Sequence, residues 1–166
     1  MRSILFFLLA GSGCLVIQCG ILHRIFPMEL KPDLTLLVVV WVGLKGDYLS
    51  GLFAAFLIGL TQDLLSGSPL GLFSVMYVLT IIFAGYLSDN FHVESLGASF
   101  AIAFLISLGS FSLVFISRWL LGQVTLELEI VKIILVKTIL TSLSLIIVKP
   151  VLDNAWKGYS RIVGAI

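Results

Sequence analysis

The stretch YLSGLFAAFLIGLTQDLLSGSPLG, residues 48–71, decides how this chain folds. Its first part, residues 48–65, is an apolar run close to the ~20 residues that a helix needs to cross a membrane. The residues that follow, Ser66-Gly67-Ser68-Pro69, are typical of a tight turn. A further apolar run, residues 70–88, begins directly after the turn. The stretch therefore predicts two neighbouring helices that cross a membrane in opposite directions.

Small residues and one acid recur at every fourth position of this stretch. They are Gly51, Ala55, Gly59, Asp63, Gly67 and Gly71. Up to the turn, a spacing of four keeps side chains on one face of a helix. Small side chains on that face let another helix approach closely, and this helix belongs either to the same chain or to a partner.

Asp63 stands out because an acid inside a span costs about 2.5–3.5 kcal/mol on insertion scales. We therefore expect its carboxylate to face the bundle and to meet Lys132, Lys137 or the amide of a neighbouring helix end. Arg118 lies in the same half of the predicted membrane region. The alternative is that Asp63 reaches water or caps the turn that begins at Ser66.

The composition of the whole chain agrees with a membrane location. Its 166 residues are 60% hydrophobic and 11% charged, and the mean hydropathy is +1.18. Soluble domains are about 45–50% apolar and about 25% charged. The net charge of +1 excludes a nucleic-acid binder with a basic surface. These values predict an all-α, polytopic membrane bundle.

Six apolar runs divide the chain. They cover residues 3–22, 34–44, 48–65, 70–88, 96–117 and 130–148. The first predicts a retained span, with a cleaved signal peptide as the alternative. The second has only eleven residues, so it is either a short tilted span or a re-entrant segment. We expect one membrane domain of six helices over residues 1–150.

The fifth run carries two further stripes of small residues. One consists of Gly97, Ala101 and Gly109, and the neighbouring one of Ser99, Ala103 and Ser107. Their helical spacing predicts two packing surfaces.

Residues 151–166 form a separate tail in which aromatic and basic residues fall on opposite sides of a helix. Trp156 and Tyr159 lie on the apolar side, and Lys157 and Arg161 on the polar side. This pattern is typical of a helix in the cytoplasmic membrane interface, although a frayed tail with two interfacial aromatics fits as well. Lys and Arg near the ends of the runs favour, by a small excess, both termini in the cytoplasm.

Catalytic and cofactor motifs are missing from the sequence. It has no Ser/His/Asp grouping, no paired-His metal spacing and no phosphate loop. We therefore expect no enzymatic activity, no cofactor and no metal site.

Two motifs carry a resemblance to a known family. Pro32-Asp33-Leu34 opens the second run, and the pattern Gly-x-x-x-Asp-Leu-x-x-Gly-x-x-Leu-Gly runs from Gly59 to Gly71, with Pro69 inside it. Together with the chain length and the short loops, these motifs resemble the rod shape-determining protein MreD family. The resemblance implies a bacterial inner-membrane protein without enzymatic activity. It also implies association with the bitopic shape protein MreC, alongside the actin-like MreB and the wall synthases.

The same resemblance supplies an alternative function. The family fold is thought to be similar to the six-helix substrate-binding subunits of vitamin-uptake transporters. Such a subunit needs a cavity lined by several hydrogen-bonding side chains. The candidates in the predicted spans are Gln18, Gln62, Asp63, Thr80, Lys137, Thr138 and Thr141.

Overall fold

The computed structural model describes residues 2–20, 31–45, 48–66, 69–90, 96–120, 122 and 128–164. These residues form six α-helices. They are α1 (Arg2–Gly20), α2 (Leu34–Leu44), α3 (Tyr48–Ser66), α4 (Leu72–Asn90), α5 (Leu96–Leu120) and α6 (Leu128–Gly164). Five of them are long and apolar enough to cross a membrane, and α2 is the shorter exception. The predicted all-α, polytopic membrane bundle is confirmed.

The short helix α2 lies at the centre of the bundle. Every residue from Thr35 to Gly43 is buried, and α2 contacts each of the other five helices. At 1.5 Å per residue its length is roughly half of a ~30 Å hydrocarbon core. A helix that is apolar on every side is typical of one that its neighbours enclose on every side. The central position of α2 therefore explains why its apolar run has no amphipathic character.

The start of α1 and the end of α6 meet at one end of the bundle. The ring of Phe6 lies 5.2 Å from the rings of Trp156 and Tyr159, centroid to centroid. At the same end, Lys45 after α2 forms an ion pair with Asp153 of α6, with 2.8 Å between nitrogen and oxygen. We call this end the Trp156 end and the opposite one the Asp63 end. The start of the first helix and the end of the last helix therefore lie on the same side of the bundle.

Helix α6 is a single helix of 37 residues. It passes through Pro150 and crosses the boundary that the sequence places between residues 150 and 151. At 1.5 Å per residue it is about 55 Å long, which exceeds the ~40–45 Å of a bilayer with its headgroups. Its last turns therefore extend beyond the hydrocarbon core at the Trp156 end.

Candidate functional site

The Pro-Asp motif begins the central helix. Pro32 and Asp33 are both buried, and Asp33 is the N-cap of α2. Its carboxylate accepts a hydrogen bond from the backbone amide of Leu36 at 3.0 Å, and its own amide donates to the Thr141 hydroxyl of α6 at 3.2 Å. The first amides of a helix have no partner within the helix, so an acid at this position satisfies one of them inside an apolar bundle.

Other polar side chains extend this contact toward α1 and α4. The Thr35 hydroxyl donates to the side-chain oxygen of Gln18 at 3.1 Å. Tyr77 of α4 is 1% exposed, and its hydroxyl has no hydrogen-bond partner among the described residues. Polar groups from several helices thus surround the buried start of α2.

The small-residue face of α3, formed by Gly51, Ala55, Gly59 and Asp63, packs within the chain. A Cβ atom added to Gly51 would lie 2.8 Å from Val42 of α2. A Cβ on Gly59 would lie 2.4 Å from the Ser74 Cα atom of α4. Both distances are well below the ~3.5–4.0 Å of a favourable carbon–carbon contact. The sequence leaves open whether this face packs against a helix of the same chain or against a partner. The structure shows that it packs against α2 and α4 of the same chain.

Asp63 continues that face and meets the start of α4. Its carboxylate is 1% exposed and accepts hydrogen bonds from the amides of Gly71 and Phe73, each at 2.9 Å. The Ser74 hydroxyl also donates to it, at 3.3 Å. Gly71 directly precedes α4 and Phe73 lies in its first turn, where the helix dipole and the free N–H groups favour a negative charge. An acid of α3 therefore caps α4.

The turn before α4 depends on glycine at one position. Gly71 has a φ of +97°, a left-handed conformation that side chains with a Cβ rarely adopt. The carbonyl of Pro69 accepts from the Leu72 amide at 3.2 Å and closes the turn. Gly67, the remaining glycine of the motif, lies outside the described residues.

The three candidate cations lie on α5 and α6. The Lys137 ammonium lies 4.7 Å from the centroid of the Phe111 ring of α5. Lys132 is exposed, and Arg118 in the last turn of α5 is partly exposed. Among the described residues, no three His, Cys, Asp or Glu side chains are grouped as the ligands of a metal ion would be.

The Trp156 end is held by an aromatic cluster and an ion pair. The Trp156 ring stacks on Phe7 of α1 at 5.6 Å and meets the edge of Trp41 of α2 at 6.2 Å. The Asp153 carboxylate accepts from the Trp41 indole at 3.0 Å and pairs with Lys45. Lys157 and Arg161 are exposed on the other side of α6. No local sequence pattern predicts the link between Trp41 and Asp153, because 112 positions separate these residues.

The two stripes of α5 face in different directions. Ser99, Ala103 and Ser107 are fully buried, and the Lys149 ammonium of α6 donates to the Ser99 hydroxyl. In contrast, Gly97, Ala101 and Gly109 are exposed. A Cβ atom on Gly97 or Gly109 would meet nothing within 4 Å. Among the described residues, the stripe of Ser99, Ala103 and Ser107 therefore packs inside the chain, and the stripe of Gly97 lies on the outside.

A groove of about 680 Å³ separates α4 from α5 on the outer surface of the bundle. Its walls include Thr80, Phe83 and Tyr86 of α4 and Leu105, Gly109 and Ser110 of α5. We call it the α4–α5 groove. It is almost entirely apolar, and four of its wall side chains are more than half exposed, namely Ile82, Phe83, Tyr86 and Leu105.

Comparison with known proteins identifies the chain at the level of its family. The family described as rod shape-determining protein MreD matches residues 1–152. No curated protein and no solved structure matches the chain. The matched residues include all of α1 to α5, both family motifs and α6 as far as Leu152. The chain therefore belongs to the rod shape-determining MreD family, whose role is in determining rod shape.

Proposed function

We propose that this protein is a non-enzymatic scaffold in the bacterial cytoplasmic membrane. In this role it binds a bitopic MreC-like protein and, alongside MreB and the wall synthases, helps to organise peptidoglycan synthesis. The observation that carries the proposal is the family match over residues 1–152. Five helices of membrane-crossing length and apolarity support the location.

The internal hydrogen bonds favour a scaffold over a ligand-binding subunit. Thr80 and Thr138 donate to the backbone carbonyls of Met76 and Ile134 within their own helices. Gln18, Asp63 and Thr141 accept hydrogen bonds that fix the starts of α2 and α4. Most of the polar side chains that a small molecule would need are thus used to hold the bundle together.

Three buried atoms favour the alternative, a vitamin-binding subunit of an uptake transporter. The Tyr77 hydroxyl, the Gln62 side-chain oxygen and the Ser107 hydroxyl have no hydrogen-bond partner among the described residues. Buried polar atoms of this kind usually bind water or a ligand. They belong to three different helices, whereas a binding pocket needs polar groups that converge on one ligand.

The proposed orientation places the Trp156 end in the cytoplasm. Lys45, Lys149, Lys157 and Arg161 lie at or near that end, and basic residues are enriched on the cytoplasmic side of membrane proteins. Lys157 and Arg161 are exposed there, where each basic residue gains about 1 kcal/mol near anionic headgroups.

Purification of the tagged protein from native membranes tests the proposal. We expect a single-span MreC-like protein to be recovered with it, and we expect cells depleted of the protein to lose their rod shape. A six-helix membrane protein of unrelated function, tagged in the same way, is the control for non-specific recovery. Recovery of an energising ATPase module together with a bound vitamin would contradict the scaffold and support the alternative.

A further inference from the structure

We propose that the α4–α5 groove receives the membrane-crossing helix of the bitopic partner. This inference rests on the proposed function and names the surface on which that function depends. The small-residue face of α3 does not serve this purpose, because α2 and α4 already occupy it.

The dimensions of the groove suit a single helix. Its lining extends from Met76 to Tyr86 along α4 and from Leu105 to Leu113 along α5, which corresponds to roughly 12–15 Å, or two to three helical turns. A helix in this position contacts two helices at once. Close packing drives helix association in lipid, where hydrophobicity offers no gain, so a groove binds a single span better than a convex face.

The floor of the groove combines open space with a small polar side chain. Gly109 is exposed, and a Cβ atom there would meet nothing within 4 Å, so the backbone of another helix can come close. Beside it, Ser110 is only 9% exposed and lines the groove. A serine in an apolar groove offers a hydrogen-bonding group to a second helix, as polar side chains of helices in membranes do for one another.

A charge at the end of the groove indicates which kind of helix fits. Asp89 is exposed and lies three residues beyond Tyr86 of the groove wall, at the Trp156 end. One of its carboxylate oxygens accepts from the Tyr48 hydroxyl at 2.9 Å. With this end in the cytoplasm, Asp89 lies at the level of the cytoplasmic membrane surface, where Lys and Arg residues flank a single span. Basic flanking residues on the partner are complementary to this carboxylate.

The same charge disfavours a second copy of the chain as the occupant. In a dimer with its two-fold axis normal to the membrane, both Asp89 carboxylates would lie at the same depth and close together. Like charges that face each other are repulsive. A lipid acyl chain would fill the apolar walls, but it has no polar group for Ser110 at that depth.

A pair of glycine variants provides the first test. Gly109→Leu fills the groove, whereas Gly13→Leu adds the same side chain to an exposed glycine of α1 that also has open space around it. We expect Gly109→Leu to lower recovery of the bitopic partner about tenfold, the scale of one lost close helix contact. We expect Gly13→Leu to leave recovery unchanged, and both variants to melt at the wild-type temperature in detergent.

Cysteine crosslinking identifies the occupant directly. In a background without Cys14 and Cys19, Phe83→Cys is combined with a cysteine series along the partner span. Phe53→Cys, an exposed position of α3 outside the groove lining, is the control. A crosslink from position 83 but not from position 53 supports the proposal. A crosslink at position 83 to a second copy, or none while the partner is bound, overturns it.

The outcomes also separate this inference from the proposed function. If the wild-type protein recovers no bitopic partner, the proposed function fails, and the groove assignment fails with it. If the wild type and Gly109→Leu recover the partner equally, the groove assignment alone is wrong.

Discussion

Two aspartates begin helices inside this bundle, and backbone amides stabilise both of them. Asp33 caps its own helix, α2, whereas Asp63 caps α4 from the neighbouring helix α3. An isolated carboxylate in an apolar interior is costly, but hydrogen bonds to the free amides of a helix start offset that cost. The two aspartates of the motifs are thus explained by helix starts that lie inside the bundle, where their free amides need an acceptor from the chain itself.

Removing the Asp63 carboxylate should destabilise the protein. Asp63→Ala leaves the amides of Gly71 and Phe73 without an acceptor, so we expect a loss of about 1–3 kcal/mol. Asp63→Asn keeps one oxygen acceptor and should cost less. Thermal unfolding in detergent, followed by intrinsic fluorescence, measures both changes.

Double variants distinguish this capping role from an ion pair. If capping dominates, Lys132→Ala and Lys137→Ala should each add their own loss to that of Asp63→Ala. Recovery of stability on adding either lysine variant would show that the carboxylate pairs with that lysine.

Gly59 should tolerate no side chain. In Gly59→Ala the new Cβ atom would lie 2.4 Å from the Ser74 Cα atom, so α3 and α4 must move apart. Such overpacking costs about 1–3 kcal/mol, and Gly59→Leu should cost more. The matched control is Gly13→Ala in α1, which has open space and should leave the melting temperature nearly unchanged. Equal melting temperatures for the two alanine variants would contradict the close contact.

At the scale of helices, α6 shows how a tail becomes part of the bundle. Its residues beyond Pro150 continue the helix, and Trp156 and Tyr159 pack against Phe6 of α1. Asp153 accepts a hydrogen bond from Trp41 of α2 and forms an ion pair with Lys45, the C-cap of α2. Both the apolar and the polar side chains of this segment therefore bind it to the helices beside it.

This packing predicts unequal accessibility along the end of α6. In a background without Cys14 and Cys19, Leu152→Cys should react slowly with a thiol reagent, because Leu152 is 7% exposed. Lys157→Cys should react rapidly, since Lys157 is exposed. Adding Trp156→Ala, which removes the aromatic packing against Phe6 and Phe7, should increase the rate at position 152. Equal rates at both positions with Trp156 present would indicate a frayed tail.

At the scale of the whole molecule, the bundle is organised around a buried half-length helix. Helix α2 contacts all five longer helices, and its C-cap Lys45 forms an ion pair with Asp153 of α6. The chain leaves the Trp156 end through α1 and returns to it through α2. The start of α1 and the end of α6 consequently lie on the same side.

Reporter fusions test this topology and the proposed orientation. Green fluorescent protein should fluoresce when fused to either terminus, and alkaline phosphatase should be inactive at both, because both termini are expected in the cytoplasm. A phosphatase inserted after Gly122 should be active, since Gly122 follows α5 at the Asp63 end. Opposite results at the two termini would contradict the shared side, and active phosphatase at both would reverse the orientation.

The sequence by itself determined where the helices lie and which family motif they carry. Hydropathy over about 20 residues decides whether a segment forms a membrane-crossing helix, and this free energy is local to the segment. The spacing of four also placed Gly51, Ala55, Gly59 and Asp63 on one face, because the geometry of a helix is fixed by neighbouring residues. These properties need no knowledge of the rest of the chain.

Only the tertiary structure decided what each face contacts. Hydropathy cannot distinguish the buried stripe of Ser99 from the exposed stripe of Gly97, because lipid and protein interior are equally apolar. Nor could it show that Asp63 caps α4, that α2 is central, or that Asp153 binds Trp41 across 112 positions. Such contacts depend on how the helices pack against one another, and the free energy of packing belongs to pairs of helices rather than to any single segment.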